Sequence, residues 1–156
     1  MHNVSIRLEQ IYPLMLEQLA NGESVQFTPR GTSMRPMIYG GRDQVILSPA
    51  PAKLRKYDIP LYRRANGQFV LHRIVKVGDT YTCIGDNQFD YEPGVRHDQI
   101  IAVTTGFIRN GKKCSVHSLS YWLYCRLWHF GRPVRKAYWR IIGLLHRVKV
   151  FFVGKK

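Results

Sequence analysis

Acidic residues are missing from the C-terminal part of this chain. All ten Asp and Glu lie at or before Asp98, whereas residues 99–156 carry twelve Lys and Arg and no acid. The formal charge of +14 at pH 7 therefore belongs to the C-terminal part, because residues 1–98 hold twelve basic and ten acidic residues and are nearly balanced. Basicity confined to one segment is typical of a surface-binding tail rather than of a nucleic-acid-binding domain.

Cysteine pairs, a cleavable leader and a long apolar run are also missing. Cys83, Cys114 and Cys125 are odd in number and have no miniprotein spacing, which predicts reduced thiols. The N-terminus has no charged lead before an apolar segment, and no apolar run approaches the roughly 18 residues that a spanning helix needs. We therefore predict a cytoplasmic protein without a leader or a transmembrane segment.

Hydrophobic periodicity predicts a mainly β fold with flanking helices. Helical spacing indicates a first helix over about residues 3–20, before the stop signal Asn21-Gly22. Alternating patterns then predict a series of short antiparallel strands, in which Pro60 marks an edge strand or a bulge. The predicted strands are 25–27, the residues about 45–47, Ile59–Tyr62, Phe69–Val77, Tyr81–Ile84 and Ile100–Ile108.

The pattern returns to helix at Leu119, breaks at residues 131–133 and resumes to Val148, so we divide the chain into residues 1–112 and a helical tail, 113–156. Residues 119–156 carry nine Lys and Arg, no acid and many aromatic residues. Basic aromatic helices favour a peripheral contact with an anionic membrane, here on its cytoplasmic face. The alternative is packing on the sheet or on a partner. Nucleic acid is the least favoured partner, because no DNA- or RNA-binding motif is present.

A serine lies in a bend between a glycine and a proline, in the stretch "RGTSMRPMIYGGRD". Ser33 can act as a nucleophile only if a base lies within hydrogen-bond reach and donors stabilise the oxyanion. Among six histidines, His72 stands in the most strongly patterned strand, and an unperturbed imidazole pKa of about 6.5 suits proton transfer at neutral pH. Lys76 shares that strand face but would lie about 13 Å farther along. The sequence therefore favours His72 as the base.

Five segments follow one another across the middle of the chain: "GTSMRP", "GGRDQVIL", "KLRKYDIPLY", "VLHRIV" and "IGDNQFD". In this order they resemble the successive boxes of the signal peptidase I superfamily, which also includes autoproteolytic repressors. The resemblance covers about residues 25–107. It implies a coiled antiparallel β-sheet domain and a serine endopeptidase that cleaves a leader or precursor peptide, with small side chains near the cleaved bond.

The resemblance also implies the roles of individual residues. Ser33 would be the nucleophile, with its own backbone N–H as an oxyanion donor. His72 would be the base, as in the endoplasmic-reticulum and archaeal types, where bacterial signal peptidases have lysine. Asp86 of the "GDN" box, with Asp90 or Glu92 after it, would orient the imidazole.

The residues that surround the nucleophile are assigned to the substrate side of the site. Met34 would pack beneath the nucleophile turn or line a substrate pocket, and Pro36 would stiffen the bend. Two positions depart from the family pattern. Gly31 stands where signal peptidases often have a serine, and Tyr57 replaces the glycine that usually precedes the aspartate of the third box.

A non-catalytic interpretation stays open beside the catalytic one. Ser33 could be an ordinary turn serine and Asp86 a turn residue that caps its own backbone. The protein would then be a binding module that docks on a membrane or a partner through its basic tail. Four side chains near the tail are of the zinc-binding type: Cys114, His117, Cys125 and His129. They follow different elements with no sign of convergence, so we predict no metal or other cofactor.

Overall fold

A computed structural model describes the backbone of residues 8–153 and the side chains of residues 8 and 10–143. Over these residues the fold is mainly antiparallel β-sheet with flanking α-helices, as the sequence predicts. A short 3₁₀ turn, His97–Gln99, precedes the longest strand. The elements in chain order are α1 (Leu8–Ala20), β1 (Val25–Phe27), β2 (Gln44–Ser48), β3 (Pro60–Arg63), β4 (Phe69–Leu71), β5 (Arg73–Val77), β6 (Tyr81–Ile84), β7 (Glu92–Val95), β8 (Ile100–Arg109), β9 (Lys112–Ser115), α2 (Leu119–Phe130) and α3 (Arg132–Val153).

The larger sheet has the strand order β1-β2-β8-β3-β4, with β9 added to β8. The alternating residues that predict β1, β2 and β8 do pair, for example Val45 with Phe107. Strand β9 was not predicted, because its sequence "KKCS" is largely polar and exposed. One end of the sheet is β4, which pairs with β3 and has no second strand partner among the described residues.

The prediction of one strand over Phe69–Val77 is wrong, because the chain changes sheets in the middle of that segment. Residues before His72 form β4 of the larger sheet, and residues after it form β5 of a second sheet with the order β5-β6-β7. Both halves are mostly buried, so their apolar pattern continues through the break. The predicted hairpin across Gly78 is confirmed, since β5 pairs with β6.

Pro60 is the first residue of β3. At this position the missing N–H does not interrupt the hydrogen bonds between strands in the middle of β3. The prediction of an edge strand is wrong, because β3 lies between β8 and β4. The alternative prediction of a bulge agrees with the pairing, in which the register with β8 shifts between Leu61 and Tyr62.

The helices lie against the sheets to different extents. Met15 and Leu19 of α1 enter the core, while the part of the first predicted helix before residue 8 lies outside the described residues. Helix α2 begins at the N-cap Ser118 and buries Tyr121 and Cys125, whereas α3 is largely exposed up to residue 143. No helix in the described range is both long and apolar enough to cross a bilayer. All three cysteines are unpaired.

Candidate active site

The loop that carries Ser33 is held by a buried methionine next to the serine and by hydrogen bonds at its C-terminal end. Met34 is only 5% exposed and belongs to the core cluster, while Ser33 is half-buried above it. Asp43, which is fully buried, accepts a hydrogen bond from Tyr39 N at 3.0 Å and one from Arg42 Nε at 2.6 Å. These contacts tie the end of the loop to the start of β2, so the bend around the serine is a packed structure.

The segment "IGDN" lies directly on the backbone of the serine loop. Asn87 N donates a 2.8 Å hydrogen bond to Ser33 O. Gly85 approaches the same carbonyl so closely that a Cβ built on it would lie 2.6 Å from Ser33 O. Because real Cβ atoms do not approach an oxygen this closely, position 85 has room only for glycine. The two sequence boxes therefore meet through backbone contacts.

Replacing Gly85 by alanine should displace the serine loop. The new methyl group would collide with Ser33 O, which has to move together with its bond to Asn87 N. Overpacking of this kind costs about 1–3 kcal/mol of unfolding free energy. Urea denaturation monitored by tryptophan fluorescence would measure the loss, with Gly78→Ala as a comparison in which the nearest heavy atom to the new methyl group, Thr80 O, lies at an ordinary contact distance of 3.7 Å. An alanine at position 85 that leaves the midpoint unchanged would contradict the close packing.

His72 occupies the point where the chain passes from the larger sheet to the smaller one. Its side chain is 6% exposed. The imidazole Nδ1 lies 3.4 Å from the Tyr62 hydroxyl oxygen and 3.6 Å from Glu92 Oε2. These separations are longer than an ordinary hydrogen bond, which is common at catalytic groups without substrate. The Nδ1 side of the ring thus faces a phenol and a carboxylate.

The partners of Glu92 determine which imidazole nitrogen carries the proton. Arg64 donates to both carboxylate oxygens at 2.6 Å, and the Tyr62 hydroxyl donates its single proton to Oε2 at 2.7 Å. The Tyr62 oxygen is then left as an acceptor, so both groups that face Nδ1 of His72 accept hydrogen bonds. This arrangement favours the tautomer with the proton on Nδ1 and a free lone pair on Nε2.

The electrostatics of the cluster keep the imidazole neutral near pH 7. Burial lowers the pKa of His72, and the nearby charge of Glu92 offsets only part of this effect. The hydrogen bonds from Arg64 hold the pKa of Glu92 below its usual value. Burial, together with the bond to Glu92, raises the pKa of Tyr62, so the phenol stays protonated. A neutral imidazole beside a carboxylate anion is the state that a general base requires.

Ser33 and His72 line the same cavity, whose volume is about 370 Å³. Among the described residues, the hydrogen bond of Ser33 is the one at its carbonyl, so its hydroxyl and its N–H remain available to a ligand. Thr32, Met34 and Asn87 line the cavity as well. The predicted nucleophile and the predicted base therefore face one space, and Met34 lies at its wall.

Asp86 is held in a different cluster behind the site. It is 2% exposed and forms a two-point ion pair with Arg73, with distances of 2.8 and 2.7 Å. The Tyr124 hydroxyl donates to the same carboxylate, and Trp128 Nε1 donates to the Asp86 backbone carbonyl. The carboxylate oxygens that face Nδ1 of His72 belong to Glu92 instead. Asp86 thus links the serine loop region to α2.

The two other predicted site residues lie at the periphery. Asp90 is exposed and lines a second cavity of about 710 Å³, which it shares with His72 and Glu92. Pro36 lies outside the residues that line the cavity at Ser33. Its carbonyl accepts a hydrogen bond from Arg109 Nη2 at 3.3 Å, and the same nitrogen donates to Met37 O. Pro36 is therefore part of the anchoring of the loop.

Tyr62 and Arg64 are the residues of this cluster that sequence reasoning missed. Both follow Pro60 at the end of β3, where the β3–β4 hairpin brings them beside His72. Arg64 is one of 24 Lys and Arg and has no distinguishing motif. The register of the hairpin alone was the signal that could have indicated them.

The four zinc-type side chains do not form a site. Cys114 lies on β9 and Cys125 on α2, where Cys125 contacts the Arg73 guanidinium at 3.0 Å. Among residues 8 and 10–143, whose side chains the structure describes, no group of three or more His, Cys, Asp or Glu is arranged to hold a metal ion. Burial raises the pKa of Cys83 to about 12, which keeps that thiol protonated.

Searches against family models, curated proteins and solved structures find nothing that matches this chain. The candidate site is consequently defined by its own residues. It consists of a hydroxyl with no partner among the described groups, an imidazole with a buried acceptor pair on its Nδ1 side, and a cavity that both side chains line.

Proposed function

We propose that the protein is a serine endopeptidase of the signal-peptidase-like type, which cleaves a leader or precursor peptide with Ser33 as nucleophile and His72 as general base. The observation that carries the proposal is the shared cavity of these two side chains, together with the acceptor pair on Nδ1 of the imidazole. The order of sequence boxes around them supports the same class, including a signal-peptidase-like form of the β-sheet domain.

In the proposed reaction, Ser33 Oγ forms a bond with the carbonyl carbon of the scissile peptide while its proton passes to Nε2 of His72. Glu92 and the Tyr62 oxygen face the opposite nitrogen and stabilise the imidazolium. The imidazolium then gives the proton to the leaving amine, the C–N bond breaks, and an acyl-enzyme remains. Water hydrolyses the ester by the same proton relay.

Oxyanion stabilisation would come from donors that border the cavity. The Ser33 backbone N–H has no partner among the described residues. The Thr32 hydroxyl and the Asn87 side-chain amide line the same space and can donate as well. Donors of this kind account for about 10²–10³ in kcat when one is removed from a serine peptidase.

The open edge of β4 offers a place for an extended substrate. Phe69, Val70 and Leu71 line the cavity opposite the serine loop. Strand β4 pairs on one side only, so its other backbone edge can add a peptide strand that passes Ser33. The direct experiment is to incubate the purified protein with a panel of leader-type peptides and to identify any products by mass spectrometry. A panel with varied small residues at the cleaved bond would map specificity.

The pH dependence of cleavage should report the imidazole. Burial lowers the pKa of His72. We therefore expect kcat/KM to rise with pH, with a midpoint below about 6.5, and then to reach a plateau. Glu92→Gln removes a charge that raises this pKa, so the midpoint should move to still lower pH and kcat should fall on the order of 10²-fold. Steady-state kinetics from about pH 4 to about pH 8, a range that extends farther below 6.5 than above it, would measure both effects.

Asp90→Asn provides the comparison for that experiment. Asp90 is two positions earlier in the chain and exposed, and it lies outside the hydrogen-bonded cluster of Glu92. We expect Asp90→Asn to keep the midpoint of the wild type. If Asp90→Asn shifted the midpoint of the pH profile and Glu92→Gln did not, Asp90 would be the residue that orients the imidazole.

A non-catalytic binding module is the second candidate. It is favoured by one observation, that the Ser33 hydroxyl and the imidazole share a cavity but form no hydrogen bond within the described part of the chain. A peptide that binds the cavity with measurable affinity and is recovered uncleaved after long incubation would support this function.

A further inference from the structure

Exposed apolar side chains are concentrated on the last two helices. Of thirteen large hydrophobic residues that are exposed in the described chain, ten lie between residues 119 and 142. Phe130 is 76% exposed and Leu119 79%. The other three are Leu14 and Leu16 on α1 and Tyr91 near the candidate site. Apolar surface gathered on one element indicates a contact with something outside the domain.

Six of the ten, four on α2 and two on α3, make up what we call the α2–α3 stripe. Its members follow one another at intervals of four, four, three, four and four residues, which keeps the members of each helix on one face. They are Leu119, Leu123, Leu127, Phe130, Val134 and Tyr138. The opposite face of α2 carries Tyr121 and Cys125, which are buried against the domain.

The stripe spans the break between the two helices. Gly131 is the C-cap of α2, with φ −71° and ψ −5°. Its N–H donates to Leu127 O at 2.9 Å, and Arg135 N donates to Gly131 O at 3.0 Å. Pro133 has no N–H to donate, and the Trp128 carbonyl accepts from Arg135 Nη2 at 2.8 Å. The α2–α3 stripe therefore consists of one row on each of two consecutive helices.

Positive charge accompanies the stripe on both helices. Arg126 lies over the Trp122 ring at 3.5 Å, and Arg135 lies over the Trp128 ring at 3.4 Å. Both arginines flank the stripe, whereas Lys136 and Arg140 lie on the opposite face of α3, each about 200° after Val134 or Tyr138. The sequence has no acid after Asp98. A row of exposed apolar side chains that is flanked by cations alone is complementary to anionic lipid.

We propose that the α2–α3 stripe docks the protein on the surface of an anionic membrane, with both helices lying along the bilayer plane. Apolar side chains would enter the headgroup boundary, and the basic residues would meet lipid phosphates. A second copy of the chain fits less well, because an isologous contact through the stripe would bring Arg126 and Arg135 close to the same cations of the other copy. A nucleic acid would satisfy the charges and leave the stripe exposed.

Docking through α2 would also fix the candidate active site relative to the bilayer. Trp128 and Tyr124 of α2 hydrogen-bond to Asp86, and its neighbour Asn87 holds the Ser33 carbonyl. The site and the stripe are thus joined by a short chain of buried contacts. The docking proposal itself does not depend on Ser33 being catalytic.

The test is co-sedimentation of the full chain with vesicles of equal parts phosphatidylglycerol and phosphatidylcholine, compared with phosphatidylcholine alone. Partitioning should be at least about tenfold stronger on the anionic vesicles at low salt and should weaken as salt is added. Arg126→Gln together with Arg135→Gln should lower it by roughly 25-fold, at about fivefold for each charge. Leu127→Ser together with Phe130→Ser should lower it by at least about tenfold.

Matched variants distinguish docking through the α2–α3 stripe from nonspecific adsorption to vesicles. Leu14→Ser with Leu16→Ser removes exposed apolar side chains from α1, and Lys76→Gln removes an exposed cation from β5. Both should bind within about twofold of the wild type, and circular dichroism would verify that each variant is folded. Equal weak binding to both vesicle types overturns the proposal. So does a concentration-dependent dimer in sedimentation velocity that is lost in Leu127→Ser and occurs without vesicle binding.

Discussion

Replacing Ser33 by alanine is expected to reduce cleavage of a leader-type peptide to background, a loss of at least about 10³-fold in kcat. The Cβ of alanine occupies the same half-buried position, so the loop and its bond to Asn87 should be retained. His72→Ala should cost about as much, because a serine hydroxyl without a base is a poor nucleophile. The two losses should not add in the double variant, since both remove the same proton transfer.

Two substitutions serve as controls for that experiment. Ser24→Ala changes an exposed serine that pairs with Ser48, and His117→Ala changes an exposed histidine beyond β9. Both should cleave at the rate of the wild type. Mass spectrometry of the products, with thermal unfolding of each variant in parallel, would give the comparison. Equal amounts of product from the wild type, Ser33→Ala and His72→Ala would assign the cleavage to another site or to a contaminant.

Removing the carboxylate of Asp86 is expected to have the largest effect on stability. Asp86→Ala leaves the Arg73 guanidinium, which is 3% exposed, without its counter-ion. In the wild type, burial lowers the pKa of Arg73, but the charge of Asp86 outweighs burial and holds this pKa above the usual value. Without Asp86 the guanidinium keeps its charge, because an arginine side chain does not lose its proton in proteins, and the charge is then buried without a partner. Breaking one half of a buried pair costs about 3–5 kcal/mol. Urea denaturation at neutral pH would measure it as a lower midpoint.

The companion variant distinguishes a structural Asp86 from a catalytic one. Arg73→Met combined with Asp86→Leu removes both charges and should recover most of the lost stability. The folded fraction of Asp86→Ala should shift the midpoint of the pH profile to lower pH, but by less than Glu92→Gln does, because the charge of Asp86 raises the pKa of His72 less than that of Glu92. Asp98→Ala, in an exposed pair with Arg96, should unfold at the midpoint of the wild type. A stable Asp86→Ala that shifts the midpoint more than Glu92→Gln does would make Asp86 the orienting acid.

Local patterns in the sequence were sufficient for much of the fold. Alternation identifies β1, β2 and β8, and helical spacing identifies α2 and α3 with their break at Gly131. Strand β7 was missed, since "EPGV" contains a proline and a glycine that normally argue against a strand. It forms because β6 offers an edge at which Cys83 pairs with Glu92.

The third member of the site could not be deduced from spacing along the chain. Asp86, Asp90 and Glu92 lie within seven positions, and each is a plausible partner of an imidazole. The pairing of β7 with β6 places Glu92 near the sheet crossover at His72, while Arg73, one residue later, binds Asp86. A sequence pattern cannot reveal that consecutive residues face different clusters when the chain changes sheets between them.

Tyr57 illustrates how tertiary contacts override a local preference. Its φ of +79° lies in the left-handed region that favours glycine. Its N–H donates to Ile74 O at 2.8 Å, and its carbonyl accepts from the Tyr121 hydroxyl at 3.0 Å and from Arg73 at 3.2 Å. The buried contacts of α2 therefore hold a conformation that the residue type disfavours, and no local motif announces it.

The most direct measurement needs no substrate. In the Ser33→Cys variant, the introduced thiol would share its cavity with the imidazole of His72. The account expects the thiol to pass its proton to Nε2, so that a thiolate pairs with an imidazolium and the pKa of the thiol falls well below the usual value of about 8.5. Site-resolved mass spectrometry of iodoacetamide labelling against pH would report this pKa beside those of the native cysteines. The account predicts that His72→Ala raises it back toward about 8.5. If the thiol at position 33 showed the same labelling curve in Ser33→Cys and in Ser33→Cys combined with His72→Ala, the imidazole would not reach position 33.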